Sequence, residues 1–178
     1  MKKKNLLLTG QPGIGKTTLV RNLYQQLTEF RVAGFFTSEI RENGIRKGFY
    51  ISSFDGHERI LAHKDYPARQ KVGSYSVDLP ALEEILFRLE NLKPPPDIWL
   101  IDEIGKMESL SPGFRKFIEQ LLADSIPLTA TISISAAGWI ARIRQRLDVQ
   151  LFQVNESNRD RLSLEIADLL RKINNEKK

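Results

Sequence analysis

Apolar and polar positions along this chain change their spacing in a regular order. Asn5 to Thr9 is a short apolar run that ends in a glycine-rich turn, and Lys16 to Phe30 then carries Leu19, Leu23 and Leu27 at four-residue spacing. That succession predicts strand, loop, helix. From Gly34 to about His63 the pattern turns β-like: Phe35 to Ile40, Gly48 to Phe54 and Arg59 to Ala62 are separated by Asn43-Gly44 and Asp55-Gly56. Those dipeptides accept the positive backbone dihedrals of tight turns, so β-hairpins are expected here.

A loop is expected from about Lys64 to Asp78. Leu79 to Leu92 is helical by its apolar spacing, and Pro94-Pro95-Pro96 stops it. Asp97-Ile98-Trp99-Leu100-Ile101-Asp102-Glu103 then sets an apolar run between acids, the pattern of a central parallel strand covered on both faces. Ser111-Pro112 opens a helix to about Ala123. Pro127 to Ile134 reads as a strand, Ala136 to Leu147 as a helix, Val149 to Val154 as a strand and Ser157 to Ile173 as the last helix, with Lys172 to Lys178 expected to fray. Strands alternating with helices predict an α/β fold: a mostly parallel central sheet flanked by helices, with a β-hairpin insertion after the second strand. A chain of 178 residues fits one domain, taken as 1–178.

Composition narrows the class. The chain is 41% hydrophobic and 28% charged, enough apolar material to fold, yet no apolar run reaches the roughly 18 residues that span a bilayer. The lysine-rich start leads into only three leucines rather than a signal-peptide core. A cytoplasmic protein without a membrane partner is expected. With no cysteine, disulfides, thiolate zinc sites and cysteine nucleophiles are excluded together. The net charge of +5 and the sequence pI of about 9.5 suit an anionic partner, nucleotide or nucleic acid. The basic residues are scattered, however, and no Lys/Arg block is interleaved with aromatics, so nucleic acid is not the favoured partner.

Chemistry enters with Gly10-Gln11-Pro12-Gly13-Ile14-Gly15-Lys16-Thr17, which matches GxxxxGK[ST] and lies between a predicted strand and a predicted helix. Glycines let such a loop turn tightly and aim its amide hydrogens at phosphate oxygens, and the helix beginning near Lys16 adds the positive end of its dipole. Gly10, Gln11, Pro12, Gly13, Ile14, Gly15, Lys16, Thr17 and Thr18 are therefore assigned to triphosphate binding. Lys16 is expected at the β- and γ-phosphates, Thr17 on Mg²⁺ and Thr18 toward the α-phosphate. Asp102-Glu103, ending the apolar strand, forms a Walker B pattern. Asp102 is placed to hold Mg²⁺ with Thr17, and Glu103 to orient and polarise the attacking water, which makes Lys16 and Glu103 the expected catalytic pair.

With these residues goes an ordered set of segments: Thr37-Ser38-Glu39-Ile40-Arg41, Arg46-Lys47-Gly48-Phe49, Val72-Gly73-Ser74-Tyr75 with Val77-Asp78-Leu79, Asp102 to Glu108, and Asn158-Arg159-Asp160. In this set the chain closely resembles the small nucleoside-triphosphatase family first described from thermophiles, whose vertebrate members are called cancer-related nucleoside triphosphatase. The resemblance implies a RecA-like P-loop NTPase fold with the catalytic Glu on the Walker B strand. It also implies Mg²⁺-dependent hydrolysis of ATP, GTP and other nucleoside triphosphates to diphosphate and phosphate. Thr131 to Ser135 departs from that pattern and is given no role.

Other residues admit two readings each. Arg41, Arg142, Arg144 and Arg146 are candidates for an arginine finger or are solvated, with Arg41 preferred. Lys106 either approaches the phosphates or faces solvent. Arg159 contacts a base or forms a helix-start salt bridge with Asp160 or a sheet acid. His57 and His63 lack an accompanying acid and read as surface residues; Trp99 reads as core, and Trp139 either stacks on a base or, the preferred reading, packs under the sheet edge. A nucleoside or nucleotide kinase and a nucleic-acid-binding ATPase are the alternatives. No Arg-rich lid segment follows Lys106 and no Asn-Lys-x-Asp guanine-reading sequence occurs. Oligomeric state stays open, with a monomer preferred.

Overall fold

The computed structural model describes residues 3–135 and 137–176. Strand β1 (Asn5–Thr9) is buried along its whole length and runs through the glycine-rich turn into helix α1 (Lys16–Gln26). Then come β2 (Val32–Glu42), β3 (Ile45–Ser53), β4 (Glu58–His63), β5 (Lys71–Val72), β6 (Tyr75–Val77) and helix α2 (Leu79–Glu90). After them follow β7 (Ile98–Ile104), a 3-10 turn at Glu108–Leu110, α3 (Pro112–Ala123), β8 (Leu128–Ile132), α4 (Trp139–Arg144), β9 (Val149–Gln153) and α5 (Arg159–Asn175). Two helices start on side-chain caps next to prolines: Asp78 accepts from the Ala81 amide and Ser111 from the Phe114 amide.

All strands join one nine-stranded sheet in the order β5-β6-β4-β3-β2-β7-β8-β1-β9. From β2 to β9 the neighbours pair in parallel; from β2 outward to β5 they pair antiparallel. β8 therefore lies between the glycine-rich-loop strand β1 and the acid-bearing strand β7.

Strand alternation sorts side chains to the two faces. Leu6 and Leu8 of β1, with Ile98 and Leu100 of β7, pack against Leu19 and Leu23 of α1 and Leu162 and Ile166 of α5. Leu7, with Trp99 and Ile101, packs against Ile85 of α2 and Phe114 and Phe117 of α3 on the other face. A strand buried on both faces needs apolar residues at consecutive positions, which accounts for the unbroken runs in β1 and β7. The same period places Asp102 on the α1 face.

Several boundaries differ from the sequence expectation: α1 stops at Gln26 instead of Phe30 and β8 at Ile132 instead of Ile134. The stretch expected as a loop holds the small β5–β6 hairpin, which turns at Gly73 (φ 59°) and pairs with β4 through Ala62 and Val77. Strands of two and three residues are too short to display a period. The helix expected from Ala136 to Leu147 is the shorter α4; its expected start at Ala136 lies outside the described residues. Helix α5 runs to Asn175, past the expected fraying point at Lys172, while Lys177 and Lys178 lie outside the described residues. Arg171 ties its last turns to α1 by pairing with Glu29 and donating to the Gln26 carbonyl. Among the described residues no helix is long and apolar enough to cross a membrane.

Candidate active site

The loop between β1 and α1 owes its path to glycines. Gly13 and Gly15 adopt φ of 79° and 104°, the left-handed region that other side chains resist. At Gly10 space is the constraint, since a Cβ there would lie 2.6 Å from the Val154 carbonyl oxygen. The Lys16 ammonium donates to the Gly10 and Gln11 carbonyls at 2.9 and 3.1 Å, folding over its own loop. Ile14 packs against the core on the α1 face, so the loop is anchored from beneath.

Thr17 begins the contact with the sheet. Its hydroxyl donates to Asp102 Oδ2 at 2.6 Å, and Thr131 of β8 donates to Oδ1 at 2.5 Å. Asp102 is only 1% exposed. Burial pushes its carboxyl pKa up, against the two hydroxyl hydrogen bonds and the nearby charges of Lys16 and Arg21, which pull it down. Thr131, given no role from sequence, completes the setting of Asp102 because β8 lies between the two motif strands.

Glu103 turns toward the same cleft, where the pairing of β7 with β8 shifts register between Ile101 and Ile104. A regular strand sends neighbouring side chains to opposite faces. At this irregularity of the ladder both acids serve one site. Burial raises the Glu103 pKa, the Asp102 charge raises it further, and Lys16 opposes both. Gly105 leaves room for a second carboxyl: a Cβ on it would lie 2.7 Å from both Glu103 Oε1 and Glu108 Oε2. Glu108 is buried, and desolvation first, then the Glu103 charge, push its pKa up to about 8. Its presence in the site was visible in sequence only as a member of the Asp102 to Glu108 segment.

These groups line a cleft of about 670 Å³. Pro12, Gly13, Gly15, Lys16, Thr17 and Thr18 form one wall, Glu103, Lys106 and Glu108 another, and Thr37, Ser38, Glu39 and Phe49 the side nearest the hairpins. Arg21, one helical turn beyond Thr17 and not singled out from sequence, also lines it.

Other expected residues go elsewhere. Arg41 lies within β2, pairs with Glu39 and donates to the Gly44 carbonyl. Arg144 donates to the Ser133 and Ile134 carbonyls, Arg146 pairs with Asp148, and Arg142 sits exposed on α4. Arg159 lies 3.7 Å from Asp160 and donates to the Ile14 carbonyl at 3.5 Å, so it braces the back of the glycine-rich loop. His57 does have an acid beside it, Glu84 of α2 at 2.9 Å, brought there by the fold and not by sequence proximity. Trp99 is buried in edge contact with Phe117. Trp139 packs on Phe114 and donates to Glu119 of α3.

A family profile described as NTPase matches residues 5–167. The chain belongs to the NTPase family. Among its relatives, the nucleoside-triphosphatase THEP1 of Thermotoga sp. (strain RQ2) is 44% identical over 167 residues, covering 93% of this chain and 95% of that one. The nucleoside-triphosphatase THEP1 of Aquifex aeolicus is 34% identical over 93% of this chain and 98% of its own length. The crystal structure of THEP1 from that hyperthermophile superposes with a TM-score of 0.80 at 33% identity, over 93% of this chain and 98% of that one. The solution structure of a human cancer-related nucleoside triphosphatase also gives 0.80, at 32% identity, over 95% and 98%. The fold of this NTPase-family chain is thus the RecA-like P-loop fold, with an antiparallel extension beyond β2.

Proposed function

We propose that this chain hydrolyses nucleoside triphosphates, ATP and GTP among them, to nucleoside diphosphate and phosphate, with Mg²⁺ as cofactor and with little preference among bases. One observation carries the reading: Lys16 and Thr17 of the glycine-rich loop and Glu103 of β7 line one cleft, and Thr17 is hydrogen-bonded to Asp102 buried beside it. The names of the relatives point the same way. A cytoplasmic setting, where nucleoside triphosphates are held, accords with the absence of cysteine.

The residues fit Mg²⁺. The Thr17 hydroxyl and the Asp102 carboxylate are hard oxygen donors already in contact at 2.6 Å, and Thr131 fixes the second carboxylate oxygen. When bound, Mg²⁺ neutralises charge on the β- and γ-phosphate oxygens. The chain supplies the rest. Amides of the glycine-rich loop and the start of α1 hold the phosphates. Lys16 exchanges its loop carbonyls for β- and γ-phosphate oxygens. Glu103 accepts a hydrogen bond from a water and aligns it for in-line attack on the γ-phosphorus, whose bond to the bridging oxygen breaks. The proton leaves the water toward the Glu103 carboxylate.

The test is phosphate release from ATP and GTP with Mg²⁺, repeated with the metal chelated. Release from both, ended by chelation, is expected. A base preference of about a hundredfold or more, or γ-phosphate label ending on an added nucleoside instead of in free phosphate, contradicts the proposal.

A further inference from the structure

Hydrolysis spreads negative charge over the γ-phosphoryl oxygens as the transition state forms, and an arginine is well suited to meet it because its guanidinium is planar and always charged. The arginines put forward from sequence are committed or remote: Arg41 to Glu39, Arg146 to Asp148 and Arg144 to the Ser133 and Ile134 carbonyls, with Arg142 exposed on α4. Arg21 differs from all of them. It lines the cleft that holds Lys16, Thr17 and Glu103, and no ion pair engages it among the described residues.

We infer that Arg21 is a catalytic residue, a guanidinium supplied by the chain itself that contacts the γ-phosphoryl oxygens in the transition state; this rests on the triphosphate-hydrolysis reading above. Thr17 and Arg21 are four residues apart on α1 and so share one helix face. Helical side chains tilt toward the N-terminus of their helix, so the long Arg21 side chain covers the turn that contains Thr17, the end where the phosphates are held. The fold also sets its approach. The guanidinium carbon lies 4.4 Å from the centroid of the Phe36 ring on β2. Phe36 is in turn packed 5.5 Å from Phe54, which stacks on Tyr24 at 4.4 Å. This aromatic tier, which with Arg21 lines a pocket adjoining the cleft, supports the guanidinium without consuming its hydrogen-bond donors, because a cation over a ring leaves its N–H groups at the edge.

Lys16 and Arg21 then divide the work. Lys16, at the loop, meets phosphate in both the bound and the reacting states. Arg21, poised on Phe36, adds its contact as charge moves outward on the γ-phosphoryl group, which is differential binding of the transition state.

The experiment compares wild type, Arg21→Ala, Arg21→Lys and Phe36→Leu in the full chain. It measures ATP affinity, kcat, and retention of ADP with tetrafluoroaluminate, a mimic of the transferring phosphoryl group. Arg21 is exposed, so its substitution leaves the core packing in place. Arg21→Ala is expected to lower kcat by roughly a hundredfold or more, leave ATP affinity within about threefold and abolish ADP–tetrafluoroaluminate retention. Arg21→Lys is expected to recover part of kcat, and Phe36→Leu to lose part of it at unchanged affinity. An Arg21→Ala enzyme with kcat within about threefold of wild type, or one that loses affinity and not kcat, overturns the inference. A wild type that releases no phosphate overturns the hydrolysis reading together with it, so the two failures are distinguishable.

Discussion

The Thr17 hydroxyl donates to Asp102 at 2.6 Å across a separation of 85 residues. Because Asp102 is buried and Thr131 occupies its other oxygen, the carboxylate has one orientation. Its charge opposes folding, since burial disfavours the ionised form. Asp102→Asn keeps the shape and removes that charge. The variant is expected to unfold at the wild-type temperature or a few degrees higher, while Mg²⁺-supported phosphate release falls about a hundredfold. Thermal unfolding and a phosphate assay check this together; unchanged release would remove Asp102 from cation binding.

Lys16→Ala and Glu103→Gln separate binding from chemistry. In the proposed mechanism Lys16 meets the phosphates in ground and transition states, so its loss is expected to weaken nucleotide affinity and turnover together. Glu103→Gln keeps the size and removes the charge proposed to align water. Nucleotide is expected to bind as before while hydrolysis falls roughly two or more orders of magnitude. Titration of a fluorescent nucleotide beside a turnover assay reads both. Near-normal turnover in Glu103→Gln would move water activation to another acid of the cleft, Glu39 or Glu108.

Glu108 predicts a pH dependence of stability. In the unfolded chain it ionises near its ordinary value of 4.5, and in the folded chain at about 8. Between these values the folded state keeps a proton that the unfolded state has lost, so stability falls as pH rises, by at most about 1.4 kcal/mol per pH unit from this group, and levels off above about 8. Glu103 and Asp102 are shifted in the same direction. Glu29, Glu39, Glu84, Asp55 and Asp148 are shifted down, so their contributions change only in more acidic solution. Urea unfolding of the metal-free, nucleotide-free chain at pH 5.5, 6.5 and 7.5 is expected to show Glu108→Gln gaining on wild type as pH rises. Parallel trends for the two proteins would contradict it.

Gly34 tests the seam between β2 and β7. It has φ of 135°, and a Cβ on it would lie 1.8 Å from the Leu100 carbonyl oxygen, two residues before Asp102. Gly34→Ala is expected to cost about 3 kcal/mol and to lower turnover through displaced β7. Gly44, with φ of 78° and open space around it, is the control: Gly44→Ala is expected to cost only about 1 kcal/mol. Denaturant unfolding of the pair separates crowding from backbone preference, and equal losses would refute the close-approach argument.

The glycine-rich loop and the two acids at the end of β7 were legible because each is a contiguous group. The glycines of the loop, Lys16 and Thr17 are adjacent in the chain and so are read together, and a strand buried on both faces announces itself by Ile98 to Ile101. The main strands and helices were legible for the same reason, since periods of 2 and 3.6 residues are local properties. The β5–β6 hairpin escaped notice because strands that short carry no period, and its pairing with β4 comes from the fold.

What sequence alone could not decide is which distant groups meet. The order of the sheet, with β8 between β1 and β7, is set by how the crossovers pack, and only that order brings Thr131 to Asp102. Burial is equally non-local: Glu108 reads as an ordinary charged residue until the chain closes over it and removes the water that would favour its charge. Arg21 shows the same limit. Its position one turn beyond Thr17 is written in the sequence, but its place beside the cleft depends on Phe36, carried there by a different strand. Local spacing therefore determined the parts of the candidate site, and tertiary packing decided their partners, their exposure and their charge.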